Sequence, residues 1–281
     1  EQQQEQQEQQ EREEQEEQNK RNEMLSRSAG LSSDGTTVLS NEGFKTIYKP
    51  KKGGIRFAEL VDRVSQIDPE MRIRFTSPHP KDFPDDLLQL IRDRPNVCKQ
   101  IHMPAQSGST EVLDRMRRGY SREAYLKLVD HIRATIPGVA LSSDFISGFC
   151  GETEEQHQET LSLLDRVQFE HGFLFAYSLR EKTHAHRKYT DDVPEDVKKR
   201  RLAEAIEVFR RRMLQKLEAQ IGTTQLVLVD GTSRRSSEEW VGRTDTNFKV
   251  LFKKGDLPFV QTDVADAPSP VNVGDYVQVE I

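Results

Sequence analysis

Downstream of residue 53 the apolar positions follow two periods, one helical and one alternating, that succeed each other along the chain. Phe57, Leu60, Val61 and Val64 recur at helical spacing and predict an amphipathic helix that ends near Ile67, where Asp68-Pro69 breaks it. Arg72-Ile73-Arg74-Phe75-Thr76 alternates and predicts a short strand. Pro84, with acids in the turn after it, opens a helix whose apolar face is Leu87, Leu88, Leu90 and Ile91. Gln100 to Met103 predicts another strand, and helices follow at residues 109–117 and 121–136. Val139 to Phe149 predicts a strand closing on glycines, Thr153 to Val167 a helix, and Phe173 to Tyr177 a further strand.

Strands alternating with helices of this length predict a parallel sheet covered by helices. Four strand–helix steps are too few to close a barrel of eight, so an open, partial barrel is expected. Ligands of such sheets gather at the carboxyl ends of the strands. Here those ends are polar loops rich in glycine or proline: Thr76 to Pro80, Pro104 to Ser109, Gly148 to Glu152 and Ser178 to Arg180.

Pro194 opens a long helix running to about Gln220, with Leu202, Ile206, Phe209, Met213 and Leu217 as its apolar face. Its other faces carry Lys198, Lys199, Arg200, Arg201, Arg210, Arg211 and Arg212. Glu204 and Glu207 are interleaved, so Lys198 to Arg201 read as a solvated face. After Gly222, four short strands (225–229, 240–243, 248–252 and 276–279) separated by Gly and Asp turns predict a small β-barrel.

Residues 1–52 have no such rhythm. The first twenty hold eight Glu, one Arg and one Lys, a net charge of −6 that equals that of the whole 281-residue chain. With no apolar face to bury, this stretch is expected to be a solvated, disordered tail. Residues 21–52, rich in Ser, Gly, Asn and Lys, read as a linker. The expected organisation is therefore tail and linker (1–52), partial barrel with its long helix (53–219), and β-barrel (220–281).

The remainder is neutral overall, which excludes a globally basic nucleic-acid protein and leaves RNA contacts to local clusters. Arg234, Arg235 and Arg243 with Phe248, on the final strands, are the best such cluster, since cations neutralise phosphates and rings stack on unpaired bases. Two cysteines, Cys98 and Cys150, exclude a disulfide scaffold and read as small buried hydrophobes. No stretch approaches the roughly 18 apolar residues of a membrane span, and no targeting leader is readable.

The strand-end loops carry a resemblance. Arg74-Phe75-Thr76-Ser77-x-His79-Pro80, His102-x-Pro104-x-Gln106-Ser107-Gly108-Ser109 and Met116-x-Arg118-x-Tyr120 occur in order. Ser143-Asp144-x-Ile146-x-Gly148-Phe149-x-Gly151-Glu152-Thr153 and Phe175-x-Tyr177-Ser178-x-Arg180 complete the series. Together they resemble the radical-SAM domain of tRNA methylthiotransferases, and the final strands resemble a TRAM domain, an RNA-binding module. The resemblance covers residues 53–281. It implies an α/β fold: the C-terminal part of a partial parallel (β/α) radical-SAM barrel followed by a small β-barrel TRAM domain.

The resemblance also implies a reaction. Family members add a methylthio group to C2 of an isopentenylated adenosine beside the anticodon, using S-adenosylmethionine and [4Fe-4S] clusters, with the tRNA anticodon stem-loop as partner. The animal branch is mainly mitochondrial, with a cytoplasmic site as the alternative here. Its name adds a kinase regulatory subunit as a second partner, and no membrane is implied. The family's cluster cysteines lie upstream of the helix that begins near Arg56, where this sequence has none. The chain is therefore not expected to act alone, and the alternative is a non-catalytic RNA- or protein-binding fragment.

For the cofactor, the resemblance singles out Gln106, Ser107, Ser109, Asp144, Gly148 and Arg180. The amide and hydroxyls suit a ribose or the methionine end of the cofactor. Asp144, inside an apolar strand, either receives a ribose hydroxyl or pairs with Arg180. Gly148 and Gly151 allow either close backbone approach or a sharp turn. Glu152 reads as a favourable charge in a helix's first turn, and His79 as a loop histidine rather than a catalyst.

Overall fold

β1 (Gln100–His102), β2 (Ala140–Ser147) and β3 (His171–Ala176) form a parallel sheet in that order in a computed structural model of the chain. The structure describes residues 43–45, 54–76, 79–255 and 271–281. The expected tail and linker (1–52) lie outside the described residues apart from 43–45, as do Ser77 and Pro78 of the first strand-end loop. Ile101 pairs with Leu141 and Phe145 with Leu174. β2 is the central strand; its Leu141, Ser143 and Phe145, on one face, are inaccessible to solvent, while Asp144 and Ile146 on the other are half-buried. On β3, Phe173 and Phe175 stay exposed.

Seven helices accompany the strands among the described residues: α1 (Phe57–Ser65), α2 (Asp85–Asp93), α3 (Thr110–Arg115), α4 (Arg122–Thr135), α5 (Glu154–Val167), α6 (His184–Lys188) and α7 (Glu195–Glu218). Caps fix two of the starts. The Ser121 hydroxyl accepts from the Ala124 N–H before α4, and Thr153 forms a reciprocal capping box with Gln156 before α5. Phe83, Leu87, Leu88 and Ile91 close one side of the core against Ile101, Tyr125, Val129 and Ile132, and Phe145 meets Phe169 edge-on at 5.5 Å. The buried Tyr125 hydroxyl donates to the Met103 carbonyl at 2.8 Å, so its polar tip is satisfied.

Two expectations need correction. The strand expected at residues 72–76 is reduced to one parallel bridge, Ile73 with Val97. Arg72 and Arg74 donate instead to the carbonyls of Arg243 and Thr244, at 2.7 and 2.6 Å. The alternation there reflects docking of a second unit, not pairing.

The second correction concerns α7. Its most buried positions are Lys198, Arg201 and Ala205, not the apolar stripe, and Leu217 is exposed. Lys198 and Arg201 are thus not solvated. Asp191 and Glu195 receive Lys198, and Glu152 and Glu154 receive Arg201, so a polar stripe is buried because acids meet it.

β4 (Thr224–Thr232), β5 (Glu239–Thr244), β6 (Lys249–Lys253) and β7 (Tyr276–Glu280) form an antiparallel sheet ordered β6-β5-β4-β7. A register shift between Val229 and Gly231 bends β4 and helps the sheet close over Val227, Val229, Phe252, Val277 and Val279. Gly242 is required on β5, since a Cβ there would stand 2.4 Å from the Leu228 carbonyl oxygen. This unit docks on the parallel sheet through the two arginines above. The Tyr276 hydroxyl adds a bond to the Glu70 carbonyl (2.6 Å), and His171 Nε2 donates to that of Thr246 (3.1 Å).

Candidate functional site

The carboxyl ends of β1 and β2 are held together by backbone. The Gln106 N–H donates to the Asp144 carbonyl (2.8 Å), and the Gln106 carbonyl accepts from the Ile146 N–H (2.9 Å). Gln106 takes a left-handed φ of 69°, uncommon outside glycine. It lines a cavity of about 340 Å³ with Arg115, Met116, Arg117, Arg118, Ile146, Phe149, Thr183, His184 and Ala185. The lining joins apolar Met116, Ile146, Phe149 and Ala185 to basic Arg115, Arg117 and Arg118, a surface suited to an anion carrying a flat apolar part.

Asp144 neighbours Gln106 through these bonds, but its ion pair among the described residues is with His102 (Nε2 to Oδ2, 3.4 Å), not Arg180. Arg180 is exposed in the loop after β3. Ser107 and Ser109 are each 1 % exposed. The Ser107 hydroxyl lies 3.3 Å from that of Thr160 and accepts from the Ser109 N–H, while the Gly108 N–H donates to Thr160 Oγ1. Their bonds clamp the loop onto α5; Gly108 allows this, because a Cβ would meet the Glu159 carbonyl oxygen at 2.4 Å.

Gly148 ends β2 with φ 78°. Its N–H donates to Glu152 Oε2 (2.7 Å), which also receives Arg201 Nη1 (3.1 Å). Glu152 is therefore no first-turn helix charge: it precedes the Thr153 cap and its side chain is fully buried. Burial pushes its pKa up, against the opposing pull of the Gly148 N–H and Arg201. Lys198 Nζ lies 5.7 Å from the Tyr177 ring centroid and closes this end of the sheet. His79 Nε2 donates to the Arg118 carbonyl (3.1 Å), in keeping with a loop histidine.

The two cysteines stand apart in the fold. Cys98 precedes β1, at the amino end of the sheet, whereas Cys150 follows β2, at the carboxyl end. Each is 2 % exposed, and burial raises both thiols, that of Cys98 to about 11. An iron–sulfur cluster needs several thiolates at one place, and these two do not fit.

The expected RNA residues fall at two ends of the antiparallel sheet. Arg234 and Arg235 are exposed on the β4–β5 hairpin. At the far end of β5, Arg243 is half-buried, 3.4 Å from Asp230 and donating to the Asn247 side chain (3.0 Å). Phe248 stacks near His171, ring centroids 4.9 Å apart, and so faces the parallel sheet. The basic wall of Arg115, Arg117 and Arg118 and the basic α6 were missed from sequence. The signal available was charge density: residues 180–188 hold two Arg, two Lys and two His around a single acid, Glu181.

Comparison with known proteins identifies these two sheets. The radical SAM superfamily matches residues 33–164, beginning inside the stretch assigned to the linker, and the TRAM domain matches residues 218–281. The mitochondrial tRNA methylthiotransferase CDK5RAP1 of Mus musculus is 60% identical over 243 residues, 86% of this chain and 41% of that protein. Its Homo sapiens counterpart is 59% identical over 86% of this chain and 40% of its own length. The tRNA-2-methylthio-N(6)-dimethylallyladenosine synthase of Chloroherpeton thalassium is 42% identical over 84% of this chain and 55% of its own. Among solved structures, the Escherichia coli radical SAM enzyme coproporphyrinogen III oxidase (HemN) overlays with a TM-score of 0.46 at 16% identity, covering 67% of this chain and 51% of that one. The chain spans about two-fifths of the length of the animal relatives. With a radical SAM segment and a TRAM domain in one polypeptide, and this identity across both, the chain belongs to the radical SAM tRNA methylthiotransferase family.

Proposed function

We propose that the chain serves tRNA methylthiolation, contributing parallel strands and the TRAM domain to an enzyme that converts N6-isopentenyladenosine beside the anticodon to its 2-methylthio derivative. The observation that carries this reading is 60% identity to a tRNA methylthiotransferase over 86% of the chain. We assign Gln106 and Asp144, joined at the strand ends, to hydrogen bonds with the nucleoside part of S-adenosylmethionine. Ser107, Ser109 and Gly148 shape the loops that hold them, and Arg180 stands at the solvent rim. Arg234 and Arg235 meet tRNA phosphates, with Arg243 and Phe248 nearer the junction of the two sheets. The relatives' name makes the mitochondrion the proposed compartment, and a kinase regulatory subunit enters as a partner through that name alone.

The family implies S-adenosylmethionine and [4Fe-4S] clusters, but Cys98 and Cys150 lie at opposite ends of the sheet and do not form a cluster site. Cluster ligands for the reaction must therefore come from outside this sequence. The same placement favours a second reading, in which this polypeptide by itself is a non-catalytic binding unit. The test is retention of an isopentenylated anticodon stem-loop by the chain, with iron content measured after anaerobic reconstitution. RNA retention without iron is expected. Absence of RNA retention would end the tRNA reading, and about four irons per chain would overturn the cysteine argument.

A further inference from the structure

Most cations of α7 are neutralised. Arg200 and Arg201 meet Glu154, Arg211 and Arg212 meet Asp165, and Lys216 meets Glu170. At the mouth of the 340 Å³ cavity the pattern reverses. Arg117 is exposed, held in a left-handed turn (φ 57°) after α3, and its guanidinium has no carboxylate partner among the described residues. α6, whose His184 and Ala185 line the same cavity, carries Arg187 and Lys188, both exposed and likewise without an ion pair among the described residues. These groups share one field. The imidazole of His184, on the cavity wall between them, has its pKa lowered by desolvation and then by Arg117, Lys188 and Arg187.

Like charges gathered without counter-charges cost folding free energy through mutual repulsion, and a bound polyanion removes that cost. Outside the acidic first twenty residues the chain is neutral overall, so this concentration of cations is a local feature. The cavity beside these cations is also lined by Met116, Ile146 and Phe149, apolar surface on which a base could lie.

We infer that Arg117, Arg187 and Lys188 form a phosphate seat for the sugar–phosphate backbone of a single-stranded RNA loop at the mouth of the parallel sheet, separate from the TRAM contacts. The inference rests on the tRNA reading above and adds to it a second, sequence-blind anchor on the radical SAM segment. Phosphate contacts position a nucleic acid without reading its bases. The TRAM sheet and this rim would thus hold one RNA at two points and set which nucleotide reaches Gln106.

The test is binding of a synthetic anticodon stem-loop RNA to the full chain across a salt series, comparing wild type with Arg117→Gln/Arg187→Gln. Each lost phosphate contact is expected to lessen the slope of log K on log salt by about 0.7 and to weaken binding about fivefold at about 0.1 M salt. Arg211→Gln/Arg212→Gln, which removes the same charge from the paired face of α7, is the matched control and is expected to leave the slope unchanged. An equal effect in that control would reduce the result to net charge and overturn the seat. Unchanged binding in Arg117→Gln/Arg187→Gln, while Arg234→Gln/Arg235→Gln weakens it, would overturn the seat and leave the tRNA reading standing. No RNA binding by wild type would remove both. Equal competition by a polyglutamate peptide at matched charge would show a general anion seat and overturn the assignment to RNA.

Discussion

Gly148 and Lys198 meet at the end of β2 with no space between them for another carbon: a Cβ on the glycine would stand 2.4 Å from the lysine Cγ. The lysine cannot retreat, because Asp191 and Glu195 both hold its ammonium at 2.8 Å. The glycine's φ of 78° adds a backbone penalty for any other residue. Gly148→Ala is therefore expected to destabilise the fold by about 2–4 kcal/mol, read as a lower midpoint in urea. An unchanged midpoint would mean that Lys198 repacks freely.

Arg201 is 5 % exposed and is the cation that Glu152 faces inside the protein. Arg201→Met would strand that carboxylate, and the expected loss is about 3–5 kcal/mol. Adding Glu152→Gln should recover part of it, since a neutral amide tolerates the site better than an unpaired charge. Purely additive losses in the double variant would show that packing, not charge, governs the position.

Stability against acid should depend on Glu154. Hydrogen bonds from Arg200 hold its carboxyl at about 2, below the ordinary 4.5. Between those values the unfolded chain binds more protons, so this contribution is full above about 4.5 and is lost as pH falls through about 2. The pair is half exposed, so solvent screens it. Melting temperature followed from about pH 5 to 2 should fall more steeply in wild type than in Glu154→Gln. Glu152 has the opposite sign: burial raises its folded pKa, so its protonated form favours folding and stability declines as pH rises past 4.5. Parallel curves for wild type and Glu154→Gln would refute the first assignment.

The two sheets should melt together only while their junction is intact. Arg72→Ala/Arg74→Ala removes two hydrogen bonds to the TRAM domain, each contributing about 1 kcal/mol. Calorimetry is expected to resolve two transitions in this variant where wild type has one. A single transition in both would place the coupling elsewhere, in α7 and in the Tyr276–Glu70 and His171–Thr246 bonds.

Much of the fold was legible because local signals agreed. Ser121 and Thr153 announce helices that their apolar periods continue, Leu226 to Val229 is a short apolar run of strand length, and Tyr276 to Val279 alternates as a sheet strand does. Three features were hidden for physical reasons. Arg72 to Thr76 alternates, yet its arginines are spent on another unit's carbonyls, which no local pattern encodes. α7 turns a charged stripe inward because acids from distant segments are waiting there, so hydropathy alone points to the wrong face. α6 spans five residues with none buried, leaving no apolar period to detect. In the candidate site, Gln106 was visible through its loop, whereas the prominence of Arg117 comes from lacking a carboxylate partner among the described residues and from a left-handed turn, both tertiary facts.

The junction has one further consequence. Arg72, Arg74 and His171 all grip the β5–β6 turn by its main-chain oxygens, those of Arg243, Thr244 and Thr246. Every amino acid carries that oxygen. Apart from Asp245, whose Oδ2 accepts the Lys99 N–H (3.2 Å), and Phe248, which packs on His171, side chains on the turn are thus free to drift or to be exchanged without undocking the domain, provided the chain keeps its path. A foreign turn of the same shape, carrying a different recognition surface, should seat in the same socket, which makes this the place to retarget the protein.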